Sequence, residues 1–204
     1  MKNKFIPTDV YKTVFDIPYN ELYAKGKKII LFDLDNTLAS YDEDVPSQKV
    51  LDLREKLKNI GFLVYILSNN NYQRISKFNE TFKSDGFTYR LLKPFTKRMK
   101  KFLKNNILNE QIKLENVVFI GDQLLTDTSC CNKIGLDIIL VDTISRKSQS
   151  IFITINRLRE RFVLRKIKKI NYEIYQKIMN LKEEGTKEWV NVSDVELNYK
   201  AVIL

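Results

Sequence analysis

The chain contains no histidine. That absence removes Ser-His-Asp triads, His-ligated zinc and phosphohistidine carriers. Any catalysis must run on carboxylates, lysine, hydroxyls, cysteine or a bound cation. Cysteine is almost as scarce: Cys130 and Cys131 are adjacent and form no CxxC. Neighbours in sequence are poorly placed to bridge each other, so both read as small buried apolar residues in a reducing, intracellular setting. Long apolar runs are missing too. Nothing approaches the ~18 residues that span a bilayer. The first ten residues, MKNKFIPTDV, carry lysines without an apolar core, so neither a transmembrane helix nor a signal peptide is expected. There is no internal repeat and no low-complexity tract.

What remains is a globular composition. Apolar residues make up 44% of 204, enough for one good core with chain left over. Lys and Arg number 35 against 25 Asp and Glu, a formal charge of +10, which favours anionic partners: phosphates, nucleic acid or acidic lipid.

The stretch KKIILFDLDNTL, residues 27–38, organises the chain. Ile29, Ile30, Leu31 and Phe32 read as a buried parallel strand, without alternation. It runs into Asp33, Asp35 and Thr37. The carboxyl end of a strand in an open α/β sheet is where ligands bind. Two carboxylates there need a partner to stay charged, and a hard divalent cation such as Mg²⁺ suits oxygen ligands.

Strands then alternate with helices. A helix is expected after Ser47, with Val50, Leu53 and Leu57 on one face and Gly61 as its stop. Further strands are expected at residues 62–67, 89–92, 117–120 and 138–141, with helices between them. This predicts a Rossmann-like, doubly wound parallel sheet with right-handed crossovers. Before it, residues 1–26 form an aromatic arm, with short helices starting at Thr8 and Asn20. The arm packs on the domain or serves as an interfacial anchor. After the core, taken as residues 27–150, comes a basic tail and C-terminal extension, 151–204. Between residues 151 and 170, Arg157, Arg159, Arg161, Arg165, Lys166, Lys168 and Lys169 face a single Glu160. Phe152, Ile155, Leu158 and Phe162 supply a helical apolar stripe, continued by Val163, Ile167 and Ile170. The end, WVNVSDVELNYKAVIL, alternates like a strand or hairpin.

Four strand ends carry polar residues: Asp33, Asp35 and Thr37; Ser68 and Asn69; Lys93; Asp122 and Asp127. A parallel sheet brings all of them to one edge. Together they hold what phosphoryl transfer needs. Carboxylates hold a cation, and cation and lysine neutralise phosphoryl oxygens. A hydroxyl orients the phosphate, and one carboxylate remains to attack phosphorus.

The phrases FDLDNT, ILSNN, Lys93-Pro94 and IGDQLLTD resemble the four motifs of the haloacid dehalogenase (HAD) superfamily. Within it, DLDNTL, SNNN, KP and GDQLLTD, with a preceding arm and a basic tail, are similar to the YqeG-type phosphatases of subfamily IIIA. The likeness covers residues 28 to about 141. It implies Asp33 as nucleophile and Asp35 as the acid, then base, that also offers its carbonyl to Mg²⁺. It implies Thr37 supporting that loop, and Ser68 with Asn69 on the phosphoryl group. Lys93 would neutralise charge, and Asp33, Asp35, Asp122 and Asp127 would form the Mg²⁺ site.

The short gaps from Asp33 to Ser68 and from Ser68 to Lys93 each leave room for one helix and one strand, not a lid domain. A capless, open site admits a phosphate attached to something large. The resemblance implies phosphatidylglycerophosphate as substrate, and a cytoplasmic enzyme is expected; its basic tail either holds it at the inner face of an anionic membrane or packs Phe152, Ile155, Leu158 and Phe162 on the sheet and leaves a solvated basic face. Rival readings are a soluble phosphatase acting on a sugar phosphate, nucleotide or phosphoprotein, and an RNA-binding protein with a vestigial site. No specific nucleic acid is expected, since no stacking platform or known module is visible.

Overall fold

A computed structural model of the protein describes residues 4–144 and 153–181. Six strands form one sheet: β1 (Asp9–Tyr11), β2 (Ile29–Phe32), β3 (Leu63–Leu67), β4 (Gly86–Thr88), β5 (Val117–Gly121) and β6 (Asp137–Val141). Their order is β1-β6-β5-β2-β3-β4, and every pair is parallel. The helices are α1 (Tyr19–Ala24), α2 (Gln48–Ile60), α3 (Tyr72–Phe82), α4 (Lys97–Asn106), α5 (Ser129–Ile134) and α6 (Ile153–Ile170). A further helix, α7, spans residues 172–181. Asn171 caps it, accepting from the Ile174 N–H at 3.0 Å.

The two sheet faces carry separate cores, as strand alternation requires. Ile30, Phe32, Val64, Ile66, Val118 and Ile120 pack with Leu53, Leu57, Ile75 and Phe78 on one face. Ile29, Leu31, Val117, Phe119 and Ile138 pack with Met99, Leu103, Cys130 and Cys131 on the other. Both cysteines are free and buried. Gly61 closes α2 in the left-handed region, φ 104°, where any side chain would also meet the Tyr23 hydroxyl.

The arm does not begin with a helix. Residues 9–11, expected as helical, form edge strand β1, because Val10 and Tyr11 pair with Leu140 and Val141 of β6. The Thr8 N–H extends that pairing by donating to the Ile138 carbonyl at 2.7 Å. Local periodicity cannot register a partner so distant in sequence. Farther along the arm, Val14, Ile17 and Tyr19 enter the main core. The strand expected at 89–92 lies earlier, at β4, because Arg90 and Leu92 have φ of 46° and 60°, values no strand accommodates. After Gln123 the chain makes one π-helical turn, Leu124–Thr128, before α5.

Only α2 lies between β2 and β3, and only α3 between β3 and β4, so the core carries no cap domain there. The basic segment of α6 packs partly on the domain. Val163 and Ile167 join Ile174 and Ile178 against Val10, Leu124 and Leu140. Phe162 and Ile170 are exposed, as are Arg159, Arg161, Arg165, Lys166, Lys168 and Lys169. Lys177 fixes α7 to β1 through Asp9 at 2.8 Å. The segments 145–152 and 182–204, which include Phe152 and the alternating C-terminal stretch, lie outside the described residues. Among the described residues no helix is long and apolar enough to cross a membrane.

Candidate active site

The carboxyl ends of β2, β3 and β5, with the segment after β4, surround a cavity of about 320 Å³. Asp33, Asp35, Ser68, Asn69, Lys93 and Asp127 all line it. Asp33 directly follows β2, and its N–H donates to the Ile120 carbonyl of β5 at 2.9 Å, so the sheet itself fixes its position. Lys93 is buried at the centre. Its Nζ lies 2.8 Å from Asp33 Oδ1 and 2.7 Å from Asp127 Oδ1.

The Asp127 carboxylate is fully engaged, since its Oδ2 accepts from the Gln123 N–H at 3.1 Å. Gly121 makes this possible: a Cβ there would stand 2.7 Å from Asp127 Oδ2. Asp122 lies close by. One oxygen each from Asp33, Asp122 and Asp127 fall within 4.8 Å of one another. Asp122 Oδ1 is buried with no hydrogen-bond partner.

Three carboxylates thus gather beside one ammonium, which pairs directly with two of them. The electrostatics follow. Burial pushes the Asp33 carboxyl up to about 7, against the pull of Lys93 and with the charge of Asp127 adding to the rise. Burial likewise holds the Asp122 carboxyl well above its usual range, reinforced by Asp127 and Asp33. Burial alone would depress the Lys93 ammonium, but the Asp127 and Asp33 carboxylates outweigh it and raise its pKa. An orphaned carboxylate oxygen and an excess of buried negative charge fit a divalent cation bound by hard oxygen ligands.

Asp35 stands apart from this cluster. Its Oδ1 accepts from Arg74 Nε at 3.2 Å. Its Oδ2 accepts from Asn70 Nδ2 at 3.1 Å and from the Ser68 hydroxyl at 3.4 Å. The following turn is tight. Asn36 takes φ 62°, and its N–H donates to the Ala39 carbonyl at 2.7 Å. Thr37 is buried in that turn, and its Oγ1 makes no hydrogen bond.

Ser68 is buried, and its Oγ also accepts from the Asn70 N–H at 3.0 Å. Asn69 faces the third motif. Its Oδ1 accepts from the Lys93 N–H at 2.7 Å and its Nδ2 donates to the Lys93 carbonyl at 3.1 Å. It therefore pairs with the Lys93 backbone as a neighbouring strand would.

Two residues escaped the sequence reading. Arg74, in the first turn of α3, is buried against Asp35 and also donates from Nη2 to the Ser40 carbonyl at 3.1 Å. Asn70 is the other. Their only sequence signal is position, directly behind Ser68 and Asn69, where a helix starting at a strand end turns its first side chains toward the site.

A parallel sheet with this carboxylate–lysine cluster at its carboxyl edge, carried by the motifs around Asp33, Ser68, Lys93 and Asp122, defines a phosphatase of the HAD type. The chain belongs to the family described as Mitochondrial PGP phosphatase, whose model matches residues 1–145. It is 36% identical over 170 residues to the "Probable phosphatase YqeG" of Bacillus subtilis (strain 168), covering 83% of this chain and 95% of that one. Among solved structures it resembles a "putative HAD superfamily (subfamily III A) hydrolase" from Legionella pneumophila. That likeness has 18% identity and TM-score 0.44, over 63% of this chain and 71% of that one. A putative 3-deoxy-D-manno-octulosonate 8-phosphate phosphatase from Vibrio cholerae gives 16% and 0.47, over 62% and 72%.

Proposed function

We propose that this phosphatase hydrolyses a lipid-linked phosphomonoester, phosphatidylglycerophosphate, through an aspartyl phosphate on Asp33. The observation that carries the reading is the buried grouping of Asp33, Asp122 and Asp127 around Lys93 at an open cavity. The name of the family supports this substrate class, and the absence of a cap between β2 and β4 suits a headgroup that stays attached to its lipid.

In this mechanism Asp33 attacks phosphorus while Asp35 protonates the departing glycerol oxygen. Water then attacks the aspartyl phosphate, giving its proton to Asp35, and inorganic phosphate leaves. Lys93 neutralises Asp33 and a phosphoryl oxygen, and the Ser68 hydroxyl orients the phosphate. Asn69 holds the Lys93 segment, Thr37 packs in the turn that presents Asp35, and Arg74 with Asn70 fixes the Asp35 carboxylate. Mg²⁺ would be held by Asp33, Asp122 and the Asp35 carbonyl, with Asp127 beside it, and would supply positive charge to the phosphoryl oxygens.

The enzyme works as a peripheral protein at the inner face of an anionic membrane, with the exposed basic side of α6 contributing attraction. The test is a phosphatase screen with Mg²⁺ that includes phosphatidylglycerophosphate in mixed micelles beside sugar phosphates, nucleotides and phosphopeptides. Preferred turnover of the lipid is expected. Preference for a soluble ester would replace this reading with that of a soluble-metabolite phosphatase.

A further inference from the structure

The tail is not the chain's only basic surface. From Gly86 to Asn109 there is no Asp or Glu. Over the same stretch Arg90, Lys97, Arg98, Lys100, Lys101 and Lys104 are all exposed. This segment includes the wall of the cavity that carries Lys93.

Its side chains around the turn divide sharply. Leu91 and Lys93 are buried, whereas Leu92 is 49% and Phe95 73% exposed. The backbone accounts for the split. Leu92 sits at φ 60°, so its side chain leaves the domain while its two neighbours enter it. The Phe95 N–H donates back to the Leu92 carbonyl at 2.9 Å, which closes a turn bearing both apolar side chains. Arg98 donates to the Arg90 carbonyl, joining the start of α4 to this turn. Behind it, Tyr89 packs edge-on against Tyr72 at 5.5 Å, and both are half exposed.

The loop after β2 is acidic and exposed, and one of its three carboxylates is ion-paired. Ser40 donates to Asp42 and Glu43, and Asp44 pairs with Lys77 at 2.6 Å.

We infer that the Tyr89–Arg98 turn and the start of α4 are a docking surface for an anionic phospholipid bilayer, which presses the cavity mouth against the headgroups. The inference rests on the lipid-phosphate reading above and adds the face by which the substrate is reached. Apolar side chains standing out of a basic ring match an interface with acyl chains below and negative headgroups above. RNA fits less well. Phe95 is the one ring the turn itself presents, beside an aliphatic Leu92, whereas a stacking platform sets out successive rings, and the Tyr72 and Tyr89 rings are packed against each other. The placement also solves a geometric problem. The α6 helix lies on the β1 and β6 side of the domain, while this turn follows β4, the opposite edge strand. Contacts on both sides of the mouth orient it; a tail contact alone tethers the protein without aiming the site.

The test is co-sedimentation with phosphatidylcholine vesicles containing phosphatidylserine, a lipid that bears no phosphomonoester. Leu92→Ser/Phe95→Ser should bind roughly tenfold more weakly than wild type. Lys97→Gln/Lys101→Gln should do the same at low salt, with the difference fading at high salt. Leu92→Met/Phe95→Trp should bind as wild type does. All four proteins should hydrolyse a short-chain phosphatidylglycerophosphate alike below its micelle concentration. Equal sedimentation of wild type and the serine variant, or no sedimentation of wild type, overturns the docking surface without touching the chemistry. Retention on single-stranded RNA that depends on Lys97 and Lys101, with no vesicle binding, overturns it in favour of a nucleic-acid face. Vesicle binding lost in the serine variant, with no lipid phosphate hydrolysed by any of the four, upholds the surface and defeats the substrate reading.

Discussion

Lys93 and Asp127 meet at 2.7 Å with the Asp127 side chain wholly buried, and the same ammonium lies 2.8 Å from Asp33. Asp127 therefore fixes the ammonium that faces Asp33, the proposed nucleophile. A lysine held from one side by a carboxylate that cannot move meets Asp33 and an incoming phosphoryl oxygen in a set geometry, which is where electrostatic preorganisation has its value.

Replacing Lys93 leaves Asp33, Asp122 and Asp127 without their common cation. Lys93→Met should cost the metal-free protein about 3 kcal/mol at pH 8, because removing one partner of a buried ion pair strands the other. The loss should shrink at pH 5, where the raised carboxyls of Asp33 and Asp122 take up protons instead. Urea denaturation at the two pH values in EDTA measures both. An equal loss at both would show that the carboxylates are not repelling one another.

The wild-type protein carries the same tension in milder form. Asp33 titrates near 7 when folded against about 3.9 for an unperturbed aspartate. Between those values the folded state binds more protons than the unfolded one, so metal-free stability falls as pH rises from about 4 to about 7. A cation held by the ionised carboxylates reverses this. Mg²⁺ should raise the melting temperature clearly at pH 8 and little at pH 5. Thermal denaturation with Mg²⁺ or EDTA checks it, and a shift independent of pH would disconnect the cation from these carboxyls.

The parts of the site that sequence exposes are those attached to strands. Asp33, Ser68 and Asp122 each follow an apolar run long enough to read as a buried strand, and parallel pairing then sets their common edge. Lys93 was placed by its motif, although the strand before it ends at Thr88 and not at Leu92. Other features depend on contacts that no local pattern encodes. β1 exists because β6 offers it an open edge. Arg74 sits in a polar helix and is revealed only by the nearness of Asp35. Within α6 the periodic stripe was legible, but it divides between Val163 and Ile167, which are buried, and Phe162 and Ile170, which are exposed. Only the position of the helix against Val10 and Leu140 decides which face that is.

Asp122 tests the cation site apart from the nucleophile. Its Oδ1 is buried without a hydrogen-bond partner, so Asp122→Ala removes an oxygen ligand and relieves burial of charge together. The variant should be at least as stable as wild type in EDTA, yet gain much less stability from Mg²⁺. Its activity should fall about 100-fold or more at Mg²⁺ levels that saturate wild type. Denaturation and turnover across a Mg²⁺ titration separate the two effects. Unchanged activity at low Mg²⁺ would take Asp122 out of the site.

Arg74 makes the sharpest claim about geometry. Its guanidinium holds Asp35 Oδ1 at 3.2 Å and the Ser40 carbonyl at 3.1 Å, so it ties the Asp35 turn to α3. In the proposed mechanism it is a positioning residue, acting on phosphate only through Asp35. Arg74→Gln should lower kcat roughly 10- to 100-fold, the usual range for displacing a general acid, with KM nearly unchanged because Ser68 and Lys93 keep their places. The loss should depend on the leaving group. An alkyl phosphate needs protonation of its departing oxygen and should suffer fully, whereas p-nitrophenyl phosphate, whose phenolate leaves unaided, should suffer little. Arg74→Lys keeps the charge but not the fork that reaches both acceptors, and should recover only part of the rate. An equal loss on both esters would mean that Arg74 supports the fold of the turn and not the delivery of a proton by Asp35.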